Sequence, residues 1–354
     1  MRPEETIQKA TEKIRPADPE AMKRAQARWN SIAKPLHSLG KLEDLVIALA
    51  GIGRSDRVCI DKKALVVMCA DNGVVEEGVT QTGQEVTAIV AENFCDGHTS
   101  AAIMCKEAGV DLYPVDVGMA VDTPRVEKRK TMYGTRNMTK GPAMTREEAE
   151  AAVAAGIEKA AELKKAGYQI LASGEMGIGN TTTSAAVASV LLDLPPDLAA
   201  GRGAGLSDEG LIKKIDAIRR AIALNKPEPD DPVDVLAKVG GLDLAALTGL
   251  FLGGAAEGLP VVADGFISCT AALAAARMVP LCREYMLPSH ISDEPAVIRI
   301  LQALDMKPAL DAGMHLGEGT GAVALFPLLD MALQVYNQMS TFEAINVDAY
   351  QELS

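Results

Sequence analysis

Residues 171–184 read Leu171-Ala-Ser-Gly-Glu175-Met-Gly177-Ile178-Gly179-Asn180-Thr181-Thr-Thr-Ser184, and this stretch decides the class of fold. The run at 168–172 has the length and composition of a buried parallel strand, and residues 185–192 are rich in helix formers. The glycines therefore connect a strand to a helix. Gly177 and Gly179 can take positive φ values and let a ligand approach the backbone, and Asn180, Thr181 or Thr182 is predicted to cap the helix.

The start of this helix is predicted to bind an anion. Free backbone N–H groups and the helix dipole favour negative charge there, and phosphate is the natural ligand. A plain connection between strand and helix, with no ligand, is the alternative. Glu175 favours a binding site, because a carboxylate at the carboxyl end of a parallel strand lies where ligands of open α/β sheets bind.

A second glycine-rich segment, Gly201-Arg202-Gly203-Ala204-Gly205, precedes the predicted N-cap residue Ser207 and a helix that carries Lys213 and Lys214. Its backbone donors and cations suit a phosphate. Neither glycine segment matches the pattern G-x-x-x-x-G-K-[ST] or a complete G-x-G-x-x-G. The phosphate prediction therefore depends on the two segments acting together.

The composition limits the class of function. The 354 residues carry a formal net charge of -13, and only 3% of them are aromatic. An acidic surface disfavours nucleic acid as a partner. The amino terminus is charged, no apolar run approaches the roughly 20 residues of a membrane span, and the six cysteines form no C-x-x-C pair. We therefore expect a cytoplasmic protein with small-molecule substrates and with no membrane or nucleic-acid partner.

Four apolar runs predict a doubly wound, mostly parallel sheet flanked by helices, which is an α/β fold. The runs lie at 63–69, 110–117, 168–172 and 259–263. Each run ends in a small or acidic residue and is followed by a helical pattern, as right-handed βαβ units require.

A smaller helical subdomain is predicted beside the sheet. Residues from about 19 to 50 have the pattern of amphipathic helices broken at Pro35 and Gly40. We expect residues 1–55, joined by 336–354, to form this subdomain, and residues 56–335 to form a Rossmann-like catalytic domain.

A basic loop at 129–142 separates the second predicted strand from the third. It is too long for a tight connection, and loops of that length are often functional. A solvated charged loop without a function is the alternative, and the sequence does not decide between them.

Glu318 is the most informative residue of the C-terminal third. Glycines bracket it in Gly317-Glu318-Gly319, and an apolar helix follows from about residue 322. A glutamate at a helix start can simply complement the helix dipole, and this alternative stays open. His290 and His315 are expected to be structural. Because no histidine or cysteine cluster has ligand spacing, we predict no metal and no cofactor.

Several motifs in the same order resemble one enzyme family, the nicotinate-nucleotide–dimethylbenzimidazole phosphoribosyltransferases of the cobalamin pathway. The motifs are Arg28-Trp29, Lys34-Pro35-Leu36, Ser38-Leu39-Gly40, Gly134-Thr-Arg136-Asn-Met-Thr-Lys140-Gly-Pro142, Gly174-Glu-Met-Gly-Ile-Gly-Asn-Thr-Thr182, Asp264-Gly-Phe-Ile267 and Gly317-Glu-Gly-Thr-Gly321. Together they span nearly the whole chain. The sequence departs from the family at Asn72, where a histidine is expected, and at 80–83, where Thr-Gln-Thr-Gly replaces Ser-Ala-Tyr-Pro, so the preferred base is left open.

The resemblance implies that ribose 5-phosphate moves from nicotinate mononucleotide to 5,6-dimethylbenzimidazole or a related azole. The products are nicotinate and α-ribazole 5'-phosphate. It also implies a homodimer, with Glu318 as the general base and Glu175 either stabilising positive charge on the ribose or placing the ring. The residues expected to bind the donor are Gly177, Ile178, Gly179, Asn180, Thr181, Gly203, Gly205, Lys213 and Gly265. Those expected to bind the base are Thr80, Gln84, Met176 and Leu316.

Two alternatives belong to other functional classes. A Rossmann-type dehydrogenase would need a full dinucleotide fingerprint after the first strand, and the segment Asp71-Asn-Gly-Val-Val75 lacks it. A noncatalytic azole- or nucleotide-binding protein would keep the pockets but would release no nicotinate.

Overall fold

The structure, a computed structural model, describes residues 2–351. Met1 and residues 352–354 belong to the predicted subdomain segments 1–55 and 336–354 but lie outside the described residues. Among residues 2–351, no helix combines the length and the apolarity needed to cross a membrane.

The strands are β1 (Lys63–Ala70), β2 (Val110–Gly118), β3 (Glu127–Lys128), β4 (Ile170–Met176), β5 (Val261–Ala263) and β6 (Met286–Pro288). The helices are α1 (Pro3–Lys13), α2 (Pro19–Ser31), α3 (Lys41–Gly53), α4 (Glu85–Asp96), α5 (Ser100–Ala108), α6 (Arg146–Lys165), α7 (Asn180–Leu191), α8 (Pro196–Ala199), α9 (Asp208–Asn225), α10 (Pro232–Val239), α11 (Leu242–Glu257), α12 (Phe266–Met278), α13 (Val297–Ala303) and α14 (Thr320–Gln338).

All six strands form one parallel sheet in the order β3-β2-β1-β4-β5-β6. This is the order of doubly wound nucleotide-binding sheets, so the predicted α/β class is confirmed, although the sheet is parallel throughout rather than mostly parallel. The order in which strands are added reverses between β1 and β4, where Met68 lies opposite Glu175. Ligands of such sheets bind in the crevice outside the carboxyl ends of these two strands.

Several strand predictions need correction. The run placed at 168–172 pairs only from Ile170 and continues to Met176, so the strand is longer at its carboxyl end, where Glu175 lies as predicted. The apolar pattern stops early because Ser173, Gly174 and Glu175 are not typical strand residues. The run at 259–263 pairs only from Val261. The sequence does not predict β3 or β6, since strands of two and three residues are too short to show a pattern.

Strand β1 lies at the centre of the sheet and is buried along its whole length. Val66 and Met68 face a layer that contains α6, α7, α11 and α12, whereas Leu65 and Val67 face a layer that contains α3, α4, α5 and α14. A strand covered on both faces is apolar without alternation, and this explains why the sequence of β1 was readable as a continuous apolar run.

Helix α11 lies unusually close to α6. A Cβ atom on Gly156 would be 1.9 Å from the carbonyl oxygen of Ala246, and one on Gly249 would be 1.9 Å from that of Val153. Only glycine permits this approach of two backbones. Because α11 also packs on β1 and β4, its first turn is fixed beneath the sheet edge where ligands are expected.

The N-terminal and C-terminal segments pack together. The rings of Trp29 and Tyr336 meet edge to face with centroids 5.0 Å apart, and the N–H of Phe342 donates to the Ser31 carbonyl oxygen at 3.0 Å. The predicted breaks at Pro35 and Gly40 lie in the connection between α2 and α3. Helix α1, in contrast, packs on α6 and α11. The bounds of the helical subdomain stay a prediction.

Candidate active site

A cavity of about 330 Å³ opens at the carboxyl ends of the strands. Its walls come from the loops after β1, β4, β5 and β6, from the 201–206 loop and from the turn that precedes α14. Both sides of the point where the strand order reverses therefore contribute to one site. The volume falls within the range of about 300 to 1,000 Å³ that is typical of small-molecule sites.

The turn after β4 provides backbone donors at the start of α7. Gly179, with a φ value of 93°, is the N-cap residue of this helix. The prediction that Asn180, Thr181 or Thr182 caps α7 is wrong, because these residues form its first turn and no side chain caps it. Within residues 2–351, the N–H groups of Gly179 and Thr181 donate to no acceptor, so both are available to an anion at the helix start.

Lys214, and not the predicted Lys213, reaches this helix start. Its fully buried ammonium group donates to Thr181 Oγ1 and to the Gly201 carbonyl oxygen, both at 2.9 Å, and burial lowers the pKa of Lys214 to about 8. Lys213 lies on the exposed side of α9 and pairs with Glu209 at 3.0 Å. The spacing of the buried residues 214, 217, 218 and 221 marks the inner face of α9 and was the signal in the sequence that could have identified Lys214.

Two buried carboxylates share one amide beneath the cavity. The Asn180 side chain donates to Glu175 Oε2 and, at 3.0 Å, to Asp243 Oδ2 in the first turn of α11. Burial, followed by the neighbouring Asp243 carboxylate, raises the pKa of Glu175 to about 8. Burial also raises the pKa of Asp243 to about 6. Near neutral pH, Glu175 is therefore mostly protonated while Asp243 is mostly charged.

The turn that carries Glu318 has an uncommon backbone. Gly317, Glu318 and Gly319 are successive left-handed residues, with φ values of 87°, 60° and 85°. Such a conformation costs a residue other than glycine about 1 to 2 kcal/mol. A Cβ atom on Gly174 would lie 2.7 Å from the Glu318 carbonyl oxygen, so the turn also needs a glycine in the neighbouring strand β4.

Asp264, at the end of β5, stabilises this strained turn. Its carboxylate accepts the N–H groups of Gly319 at 3.2 Å and Ala322 at 3.0 Å. It therefore caps α14 from a distant part of the chain, which no local sequence pattern indicates. The Glu318 side chain lines the cavity, where it is half-buried and accepts the N–H of Ala101 at 3.4 Å. Burial raises the pKa of Glu318 above its ordinary value, and the Asp264 charge adds to the effect.

The structure places most of the predicted site residues on the cavity wall. These residues are Thr80, Glu175, Met176, Gly177, Ile178, Gly179, Asn180, Thr181, Gly203, Gly265, Leu316 and Glu318. Lys213, Gln84 and Gly205 do not line it. Gln84 directly precedes α4, while Gln81 takes a place on the wall. The amide of Gln81 donates to the carbonyl oxygens of Ala204, at 3.3 Å, and Gly205, so Gly205 borders the cavity mouth.

The basic loop at 129–142 lies away from the cavity wall, and its cations are paired. Arg129 contacts Glu162, Arg136 contacts Glu148 at 2.7 Å, and Lys140 contacts Glu76 at 2.5 Å. This arrangement favours the solvated charged loop over a ligand-binding loop.

Buried carboxylates lie at the carboxyl ends of β1, β2, β4 and β5, and Asp243 of α11 adds another. Asp71, Asp116, Glu175, Asp243 and Asp264 are each less than 10% exposed. In the part of the chain that the structure describes, no group of three or more histidine, cysteine, aspartate or glutamate side chains is positioned to hold a metal ion. Burial instead raises the pKa of Asp71 and Asp116.

Comparison with known proteins identifies close relatives of this chain. A family model described as "Phosphoribosyltransferase" matches residues 14–347. The nicotinate-nucleotide–dimethylbenzimidazole phosphoribosyltransferase of Ruminiclostridium cellulolyticum is 50% identical over 350 residues, covering 98% of this chain and 99% of the relative. The enzyme of the same name from Acetivibrio thermocellus is 48% identical, covering 94% and 95%. The crystal structure of CobT from Thermus thermophilus has a TM-score of 0.89 at 41% identity and covers 94% of this chain and 100% of that one.

Glu175 should make the stability of the fold depend on pH. Because folding raises its pKa from 4.5 to about 8, its contribution is fully present below about pH 4.5 and is lost as the pH rises through 8. At about 1.4 kcal/mol per pKa unit, the free energy of unfolding of the parent protein should fall by a few kcal/mol more than that of Glu175→Gln between pH 5 and 9.

Urea denaturation at a series of pH values measures this difference. Glu209→Gln, on the exposed side of α9, controls for the loss of one negative charge and should follow the parent protein. If the free energies of unfolding of the parent protein and Glu175→Gln change in parallel with pH, the raised pKa of Glu175 is contradicted.

Proposed function

We propose, since the chain belongs to the nicotinate-nucleotide–dimethylbenzimidazole phosphoribosyltransferase family, that it transfers ribose 5-phosphate from nicotinate mononucleotide to 5,6-dimethylbenzimidazole or a related azole. The products are nicotinate and α-ribazole 5'-phosphate. One observation carries the assignment of roles: a single cavity combines a half-buried carboxylate at Glu318 with anion donors at the start of α7. No observation favours the dehydrogenase or the noncatalytic binding protein.

The donor phosphate is proposed to bind at the start of α7. The unpaired N–H groups of Gly179 and Thr181 offer hydrogen bonds, and the Lys214 ammonium beside Thr181 offers positive charge. These groups provide local attraction for an anion in a protein whose net charge is -13. Gly203 belongs to the same wall, but the Glu294 carboxylate accepts its N–H at 3.0 Å, so this donor is already in use.

Glu318 is proposed as the general base. The bond between ribose C1' and the nicotinate nitrogen breaks, and its electron pair neutralises the departing pyridinium ring. The lone pair of one azole nitrogen forms the new bond to C1', and the proton of the other azole nitrogen passes to Glu318. Attack on the face opposite to the leaving group converts the β-linked donor into an α-linked product. No acid is needed, because the leaving group is already cationic.

The raised pKa of Glu318 suits this role. A base is more effective when its pKa lies nearer the working pH, and burial moves the Glu318 carboxyl group in that direction. Its placement in a rigid turn, rather than on a mobile loop, supports a fixed direction of proton transfer.

Glu175 is proposed to help place the substrate ring rather than to stabilise positive charge. With a pKa of about 8, it is mostly a neutral acid near pH 7 and can donate a hydrogen bond. It is also close to the Glu318 turn, since a Cβ atom on Gly317 would lie 2.6 Å from Glu175 Oε1. The neighbouring wall of Thr80, Met176 and Leu316 is proposed to hold the flat azole, with Gln81 taking the place predicted for Gln84.

A homodimer in the cytoplasm is also proposed. Three large apolar side chains of the C-terminal segment, Ile345, Val347 and Tyr350, are each about half exposed or more, as a surface covered by a second copy would be. All six cysteines are unpaired, which is common in a reducing compartment.

Replacement of Glu318 by Gln should lower turnover by about 10²- to 10⁴-fold, because general base catalysis contributes on this scale. The parent enzyme should lose activity as acid protonates Glu318, and Glu318→Gln should lack this limb of the pH profile. Nicotinate release with both substrates saturating measures the effect, and Glu209→Gln serves as the control. Undiminished turnover in Glu318→Gln, with chemistry rate-limiting, would shift the role to Glu175.

Lys214→Met should lower kcat/KM for nicotinate mononucleotide by roughly 10- to 100-fold, because it removes the positive charge beside Thr181. This range corresponds to about 1.5 to 3 kcal/mol, the scale of an interaction with a charged group. Lys213→Met is the matched control and should behave as the parent enzyme, because this side chain faces solvent. Donor affinity of the parent enzyme should also weaken as the pH rises through about 8 and Lys214 loses its charge. Equal effects of the two substitutions would contradict the proposed phosphate site.

Light scattering at micromolar concentration should give twice the 37.2 kDa mass of the chain. Val347→Ser together with Ile345→Ser should weaken the association, because both remove exposed apolar surface. A monomeric parent protein would contradict the homodimer.

A further inference from the structure

His290 and Ser292 lie on the cavity wall and have no role in the transfer described above. Both follow β6, the short strand that the sequence does not predict. Their side chains are 3% and 6% exposed, so each is more than nine-tenths buried. A polar group buried to this extent normally has a hydrogen-bond partner.

The hydrogen bonds of Ser289 define the tautomer of His290. Ser289 Oγ has one proton and donates it to the Ala263 carbonyl oxygen at 2.7 Å or to the Asp264 carbonyl oxygen at 3.3 Å. It must therefore accept from His290 Nδ1, 3.0 Å away. Nδ1 carries the proton, and in the neutral ring Nε2 has a free lone pair.

This lone pair has no partner in the protein. Among residues 2–351, no group bonds to His290 Nε2 or to Ser292 Oγ. Neither atom is among the fully enclosed polar atoms that lack a partner, so the small exposed part of each side chain includes the polar atom and opens into the cavity. Both side chains converge on Gly265, where an added Cβ atom would lie 3.4 Å from Ser292 Oγ and 3.5 Å from His290 Cε1.

The charges on this wall indicate what can bind there. The Asp264 carboxylate lies 3.9 Å from His290 Nδ1, and Glu175 and Glu318 line the same cavity. An anion would find no proton on Nε2, and the Asp264 and Glu318 carboxylates on this wall disfavour further negative charge. A hydroxyl group suits the site, because it can donate to Nε2 and can exchange hydrogen bonds with Ser292 Oγ. The donor has such groups on its ribose.

We propose that His290 Nε2 and Ser292 Oγ bind the ribose hydroxyl groups of the donor and select ribose over deoxyribose. The inference rests on the proposed phosphoribosyl transfer. Both residues act by positioning the sugar between the phosphate site at α7 and the base Glu318. A site built to bind a hydroxyl group discriminates strongly against a substrate that lacks it, since its buried polar atoms are then left unpaired.

The test compares nicotinate mononucleotide with its 2'-deoxy and 3'-deoxy analogues. The parent enzyme should prefer the ribose donor over at least one analogue by roughly 10- to 100-fold in kcat/KM. His290→Asn keeps a donor near the Nδ1 position but lacks a group near the Nε2 position, and it should remove most of this preference. His290→Gln, which places a polar atom near the Nε2 position, should restore part of it.

Ser292→Ala provides an independent measurement if a His290 variant fails to fold. It should also reduce the preference, while the KM for the azole stays near that of the parent enzyme. If the folded variants lose kcat/KM equally for the ribose and deoxyribose donors, the inference is overturned.

Calorimetric binding of the donors without azole separates the two proposals. If the parent protein binds the ribose donor selectively and the variants do not, the subsite is supported even where no nicotinate is released and the proposed transfer fails. Unselective binding by the parent protein would overturn the subsite even where transfer occurs.

Discussion

The site depends on the hydrogen bonds between the Asp264 carboxylate and the backbone N–H groups at the start of α14. This carboxylate comes from the end of β5 and accepts N–H groups on both sides of the first residue of the helix, at Gly319 and Ala322. It links the end of strand β5 to the turn that carries Glu318, across more than fifty residues of sequence. Without it, three successive left-handed residues would have little to favour them, because that backbone is stable only where its surroundings compensate for the strain. The direction of the Glu318 side chain thus follows from the packing of the sheet.

The same edge concentrates negative charge in the interior. Five carboxylates are buried along it, and of these Asp116 pairs with a cation, Lys130, at 3.1 Å. Burial therefore raises pKa values instead of producing five full charges, and Glu175 is the clearest case. The carboxylates that keep their charge near neutral pH, such as Asp243, suit a substrate with a cationic ring and a reaction in which positive charge develops on a sugar. The phosphate of the same substrate needs separate, local donors, and we propose that the start of α7 supplies them.

Long apolar runs made most of the sheet predictable from the sequence. β1, β2 and β4 show such runs because both of their faces are covered, whereas β3 and β6 form only because a neighbouring strand offers backbone groups to pair with. In the site, Glu175, Glu318 and the glycines around them were predictable, since a carboxylate among glycines suits neither a core nor a helix interior. Asp243 and His290 were not, because the first resembles an ordinary helix-start acid and the second a structural histidine. Asp243 contacts Asn180, which is distant in sequence. His290 contacts the adjacent Ser289, whose hydroxyl direction is set by the fold.

The left-handed backbone of Glu318 also bears on how this protein family can diverge. At this position the backbone by itself favours glycine, whereas the proposed role of the side chain as a base favours glutamate. If selection for transfer were relaxed, a change to glycine would relieve strain and leave the Asp264 contacts with Gly319 and Ala322 in place. The fold and its pocket would survive the loss of the proposed base. With Glu318 as the proposed base, a chain with this architecture and a glycine at that position is expected to bind its ligands without converting them.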